Sequence, residues 1–320
     1  MATIADEALF RDLPEKQDNL YRASLAGASD NEVHTNDAFS EKWVAIDQGL
    51  DDEDEEWKRF QLDWYCRSYG FANEGEVAAL LADKKVILDA GCGVGYKAAW
   101  MARLAPHATV IAMDLSESVR VAAERYADYP NMLFVQGDIA KTPFRDGSID
   151  LVSCDQVLHH TDSPPATVRE FARILSANGV LNTYVYSKKA LPRELLDEHF
   201  REKSKEMSRA EIWDLSRQLT DLGKILTDLN ITIDVPDMPA LGIKGGPQDL
   251  QRFIYWNFIK CFWNEDMGDE ASLMTNFDWY APSTAFRYSA DEFHAMLADA
   301  GFRPDFVHSE EACHTGRFVK

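Results

Sequence analysis

Short apolar runs at 86–88, 110–113, 133–136, 151–154 and 180–186 alternate with stretches whose apolar residues recur at helical spacing. Strand-length runs separated by helix-length segments mark βαβ units, whose parallel sheet is buried on both faces. The pattern changes after residue 186. Leu215, Leu219, Leu222, Leu226 and Leu229 step by alternating four and three residues, which predicts an amphipathic helix. Pro236, Pro239, Gly242, Gly245, Gly246 and Pro247 predict a loop. A second helix is expected over 248–264, with Phe253, Tyr255, Trp256, Phe258, Phe262 and Trp263 on more than one face. Such a helix must be buried in a cap or an interface, and it could serve in a homodimer as readily as in a lid. A helix over 290–300, ended by Gly301, and strands at 302–308 and 317–319 then complete the sheet.

Upstream, the first 36 residues hold no sustained period and read as a loosely held arm. Trp57, Phe60, Trp64 and Tyr65 recur at helical spacing behind an acidic run, Asp51 to Glu56. Acids favour a helix amino terminus, so a solvated helix start is a simpler account of the run than an acidic lip for a cationic substrate. The chain therefore divides into an N-terminal arm with helices contributing to the site (1–76), an α/β core (77–186), a helical-aromatic cap inserted after the fifth strand (187–288), and a C-terminal helix and strands completing the core sheet (289–320).

Composition narrows the partners. Among 320 residues, 33 Lys and Arg face 54 Asp and Glu, a formal charge of −21, so a phosphate-binding surface would work against the whole molecule's field. Nucleic acid is not an expected partner. Cys66, Cys92, Cys154, Cys261 and Cys313 are odd in number and lack a C-x-x-C pair, which argues against a disulfide framework and a structural zinc. Reduced thiols and a cytoplasmic location are expected. No apolar run reaches the ~18 residues of a membrane span, and Asp6, Glu7, Arg11 and Asp12 break the order of a signal peptide.

The segment Val86-Ile87-Leu88-Asp89-Ala90-Gly91-Cys92-Gly93-Val94-Gly95 is a strand running into a glycine-rich turn before a helical pattern at 97–104. Glycines let a ligand approach the backbone, and a new helix directs free N–H groups at it. Asp114 ends the next strand 19 residues after Gly95, where an acid can accept both ribose hydroxyls of a nucleoside. Asp138 and Asp155 end the following apolar runs. Strand carboxyl ends line the ligand crevice of an open α/β sheet, so Asp89, Asp114, Asp138 and Asp155 should converge. Each alone could be a helix N-cap. Together they repel a pyrophosphate and match a ligand with an ammonium, a sulfonium, a ribose diol and an adenine amine. A nicotinamide dinucleotide would also need a glycine where Tyr96 stands.

Leu88 to Gly95, Met113-Asp114-Leu115-Ser116, Gly137-Asp138-Ile139 and Ser153 to His160 together resemble a class I S-adenosylmethionine-dependent methyltransferase of the type 11 small-molecule group. The resemblance covers about a third of the chain, 86–186, and implies a Rossmann-like, mostly parallel sheet flanked by helices. It implies Asp89, Gly91, Cys92, Gly93 and Gly95 near the methionine moiety of S-adenosyl-L-methionine, and Asp114 with Leu115 at the ribose. Asp138 and Ile139 would meet the adenine, with Asp155 and Gln156 near the methionine end.

Methyl transfer from a sulfonium is an in-line displacement needing alignment and little water, and no metal is expected. A hydroxyl or protonated amine acceptor must lose a proton. His160, with His159 beside it, is the candidate base, and Tyr280 is a further candidate catalytic group. A thioether acceptor needs no base. Candidate substrate residues are Trp43, Tyr255, Trp256, Asp278, Trp279 and Arg287; the rings of Tyr255, Trp256 and Trp279 would suit an acceptor that gains positive charge, and Asp278 and Arg287 could orient polar groups. The expected function is methyl transfer to a small-molecule amine, hydroxyl or thioether. Protein methylation and a non-catalytic S-adenosylmethionine-binding subunit are the alternatives.

Overall fold

A computed structural model describes residues 8–24, 29, 34–37, 39–40 and 55–320. The chain divides into two units, Met1–Ser187 with Phe286–Lys320, and Lys188–Ala285. In the first, β1 (Glu15–Gln17) and β2 (Leu20–Arg22) precede α1 (Glu55–Ser68) and α2 (Glu74–Leu81). The alternating segment follows as β3 (Val86–Ala90), α3 (Tyr96–Leu104), β4 (Thr109–Asp114), α4 (Ser118–Arg125), β5 (Met132–Gln136), β6 (Ile149–Cys154), α5 (Pro164–Ile174) and β7 (Leu175–Ser187). The second unit holds α6 (Leu191–Ser204), α7 (Arg209–Asp228), β8 (Thr232–Val235), β9 (Gly246–Asp249), α8 (Leu250–Asn257) and α9 (Gly268–Tyr280). The chain then returns as β10 (Arg287–Tyr288), α10 (Ala290–Asp299), β11 (Arg303–Ser309) and β12 (Cys313–Val319).

The main sheet runs β1-β2-β5-β4-β3-β6-β7-β12-β11, and β10 also pairs with β7. Pairing is parallel from β2 through β7, and β12 and β11 close the far edge antiparallel. Alternation along the strands sends side chains to two cores. Leu88, Ala90, Ile111, Met113, Val135 and Val152 meet Val168 and Phe171 of α5 and Phe293 and Leu297 of α10. Ile87, Val110, Ala112, Phe134 and Leu151 meet Tyr65 and Tyr69, Ala98 and Met101 of α3, and Val119 and Ala122 of α4. This is a Rossmann-like fold with helices on both faces.

Three expectations change. The N-terminal arm is partly built into the sheet: Leu20, Tyr21 and Arg22 pair with β5, giving that edge strand a hydrogen-bonded neighbour. The glycine- and proline-rich stretch holds strand β9, paired with β8. The helix expected over 248–264 stops at Asn257. Beyond it, buried side-chain amides hold the backbone: Asn276 bonds both the N–H and C=O of Phe262, and Gln251 donates to the Cys261 carbonyl. That carbonyl would lie 2.5 Å from a Cβ at Gly223 of α7, so helix and segment meet where a side chain cannot fit. The leucine stripe of α7 splits accordingly, with Leu219 buried while Leu222 and Leu229 are exposed.

None of the five cysteines forms a disulfide, and all are buried. Among the described residues, no helix is long and apolar enough to cross a membrane. Trp43 and 51–54 of the acidic run lie outside the described residues.

Strand order locates the crevice. From β3 the chain proceeds to β4 and β5 on one side and then to β6 and β7 on the other, so the switch point lies at the carboxyl ends of β3 and β6. Gly91 stands there with φ +85°, and a Cβ on it would lie 2.3 Å from the Val157 side chain. Gly91→Ala combines left-handed strain with that collision and should cost about 2 kcal/mol or more, read as a fall in chemical-denaturation midpoint. Adding Val157→Ala should recover part of the loss; no recovery would contradict the packing.

Candidate active site

The glycine turn is held to β4. Gly91 and Cys92 donate N–H bonds to the Met113 carbonyl at 2.8 and 3.0 Å, and Gly93 donates to Asp114 Oδ2 at 2.8 Å. Gly95, also left-handed, opens α3 and bonds the Cys92 carbonyl at 2.9 Å. Asp114 Oδ1 accepts the Ser116 N–H and hydroxyl at 2.8 and 2.6 Å. Burial raises the Asp114 pKa while these bonds oppose it. One carboxylate thus shapes the loop and still offers lone pairs at a half-buried position.

The four acids stand on four neighbouring strands, in the order β5, β4, β3, β6. Asp89 lies within β3, and Asp114, Asp138 and Asp155 lie at or just past the ends of β4, β5 and β6. Their environments differ. Asp89 is buried, its Oδ2 has no hydrogen-bond partner among the described residues, and its pKa is pushed up to about 7, chiefly by burial, with Lys97 opposing and Asp155 and Asp114 reinforcing. Asp138 is bonded by the Ala140 N–H at 2.7 Å, and its field comes from Lys141, Asp162 and Glu170. It therefore sits apart electrostatically from the other three. Leu115 is half-buried, and Ile139 packs into the core.

Asp155 already accepts three hydrogen bonds from protein side chains. Tyr69 donates its hydroxyl to Oδ1 at 2.8 Å, while Lys97 Nζ and Gln156 Nε2 donate to Oδ2. Asp155 and Lys97 form a buried ion pair, and despite burial the carboxylate neighbours raise the Lys97 pKa. Gln156 follows with φ +64°, a strained turn. Alongside, Tyr65 shares a 3.1 Å hydrogen bond with Ser153 and accepts one from Asn182 at 2.9 Å. Lys97, Tyr65 and Tyr69 were not singled out from the sequence. The available signal was position: Lys97 falls four residues before Met101 and seven before Leu104, on an inward helical stripe.

Leu158–His160 forms a single 3₁₀ turn after β6. The His159 ring is fully buried, 3.9 Å from that of Tyr186, and its carbonyl accepts the Phe286 N–H. His160 packs on His159 and meets the edge of Phe39 at 4.8 Å. Arg287 sits in β10, paired with Tyr186 of β7.

The remaining predicted residues belong to the second unit. Tyr280 is buried and donates to Asp197 Oδ1 at 2.8 Å, while Asp197 Oδ2 accepts Arg193 Nε at 2.7 Å. Tyr255 and Trp256 rings lie 4.5 Å apart, and Trp279 is buried. Their faces already carry protein cations: Lys189 lies over Trp256, Arg193 and Lys260 over both Tyr255 and Trp279. The expected use of these rings for a cationic acceptor is therefore opposed by charge of the same sign.

A family model described as a methyltransferase domain matches residues 88–183. The chain is 36% identical over 96 residues to a malonyl-[acyl-carrier protein] O-methyltransferase of Legionella pneumophila, covering 30% of this chain and 34% of that one. It is 38% identical over 95 residues to a probable S-adenosylmethionine-dependent methyltransferase of Mycobacterium tuberculosis, covering 30% and 33%. A solved magnesium protoporphyrin IX methyltransferase from Synechocystis aligns over 89% of this chain and 97% of that one, at 16% identity and a TM-score of 0.46. The chain spans about a third of the length of the curated relatives it matches. Residues 88–183 are therefore similar to methyltransferase domains, among them that of a probable S-adenosylmethionine-dependent enzyme.

Proposed function

We propose that the protein transfers the methyl group of S-adenosylmethionine to a small-molecule amine, hydroxyl or thioether. The observation that carries this reading is Asp89 Oδ2, a buried carboxylate oxygen without a partner among the described residues, at the switch point between β3 and β6. A buried acid in that state suits a ligand that brings positive charge. The formal charge of −21 supports a small acceptor over nucleic acid.

Bound donor would supply an electrophilic methyl carbon on a sulfonium. The chain's own residues bind and orient it. Asp114 would accept the ribose hydroxyls, and Asp89 would face the positively charged methionine end. Asp138, with Ile139, would take the adenine side, consistent with its separate electrostatic neighbourhood. Asp155 acts through the Lys97 pair, tying the start of α3 to the end of β6. Of the two histidines, His159 is enclosed by Tyr184 and Tyr186, which supports His160 as the group that takes a proton from an amine or hydroxyl acceptor.

Transfer of labelled methyl from S-adenosylmethionine into a fractionated small-molecule extract tests the reading. Label in a discrete metabolite is expected; label in protein alone would overturn the small-molecule acceptor. Asp114→Ala should weaken donor binding by about 1.5–3 kcal/mol, the scale of hydrogen bonds to a charged group. Unchanged affinity by calorimetry would refute its role. His160→Ala should slow turnover roughly 10²-fold or more for an acceptor that loses a proton, with donor affinity intact; full activity on such an acceptor would remove His160 as the base.

A further inference from the structure

The geometry points to an anion-binding site in the second unit, built by Lys260, Arg193 and Arg252 around the ring of Tyr255, that takes a carboxylate on an apolar or aromatic body. This rests on the small-molecule reading above and names the acceptor's charge. Arg193, Arg252 and Lys260 lie 5.5, 5.7 and 5.2 Å from the Tyr255 centroid. Among the described residues, the carboxylate in ion-pair contact with this trio is Asp197, on Arg193, and it also accepts the Tyr280 hydroxyl. Arg193 is spent further on the Tyr255 carbonyl.

Lys260 is buried, only 6% exposed. Its ammonium carries three donors, and its hydrogen-bond acceptor is the Tyr255 hydroxyl at 3.1 Å. Its other close neighbours are ring faces, Trp279 at 4.8 Å and Phe262 at 5.6 Å. Three cations gathered on one ring, with Asp197 paired to Arg193, leave positive charge incompletely compensated in an interior that screens poorly. Burial and Arg193 push the Lys260 pKa down to about 7 against the pull of Asp197 and Asp278, with the Cys261 thiol adjoining. An incoming anion would restore the proton and balance the charge.

The ring lining selects the kind of anion. Tyr255, Phe262 and Trp279 offer little hydration, which a singly charged carboxylate tolerates better than a doubly charged phosphate. Half-buried Trp256 and Lys189, with Lys189 also 5.9 Å from Trp279, extend the same cluster. In this arrangement the carboxylate is the handle by which the acceptor is held.

The experiment titrates the full chain with benzoate and hexanoate, each against its uncharged amide, following tryptophan fluorescence and calorimetry from pH 6 to 8.5. Each acid should bind at least tenfold more tightly than its amide, with proton uptake, and affinity should fall as pH rises through about 7. Lys260→Met, matched in length, should abolish the preference and the proton uptake while S-adenosylmethionine affinity stays unchanged. Absence of binding, equal binding of acids and amides, or a preference that survives in a natively folded Lys260→Met would overturn the site. Failure of the wild-type chain to bind S-adenosylmethionine would instead overturn the methyltransferase reading.

Discussion

Charge placed where water cannot reach it governs the candidate active site. A parallel sheet brings the ends of β3, β4, β5 and β6 side by side, and the chain sets an acid at or near each. Four carboxylates in that position would repel one another strongly in a poorly hydrated crevice. The fold manages this unevenly. Asp114 is stabilised by the backbone it organises, Asp138 is set apart, and Asp155 is matched by Lys97 and Tyr69. Asp89 alone among them keeps a carboxylate oxygen without a partner in the described residues, leaving it poised between charged and neutral forms near neutral pH.

The same reasoning separates the two units. In the first, acids converge and Lys97 and Lys141 offset them; in the second, cations converge on Tyr255 and Trp279 with, among the described residues, Asp197 in ion-pair contact with Arg193. A donor carrying positive charge and an acceptor carrying negative charge would each meet the opposite sign on separate surfaces. Buried charge that is incompletely compensated is costly, and a ligand of opposite sign would offset it. Specificity of this kind comes from leaving buried groups short of partners, so that a ligand lacking the matching group is rejected.

The sheet was legible because its signals are local and periodic. The apolar runs at 86–88 and 110–113 lie in β3 and β4, and Gly91, Gly93 and Gly95 all adopt positive φ. The four acids were legible as strand-end residues. Their partners were not, because Lys97 of α3, Tyr65 of α1 and Tyr69 just past α1 reach the crevice by tertiary packing. The aromatic stretch misled for a related reason: its apolar residues continue past Asn257, yet Asn276 and Gln251 satisfy a non-helical backbone there from distant positions. Rings at Tyr255 and Trp279 looked available to a cation because spacing does not reveal that Arg193, far upstream, covers them.

Asp89 would stay uncharged or half-charged until a cationic donor arrives. Carboxyl carbon NMR of the intact chain, with Asp89 assigned by comparison with Asp89→Asn, reads this directly across pH 4 to 9 with and without S-adenosylmethionine. A midpoint of about 7 is expected in the free protein, falling well below that when the donor is bound, with a proton released on binding at neutral pH. A free-protein midpoint in the ordinary carboxylate range, or a midpoint that the donor leaves unmoved, would contradict it.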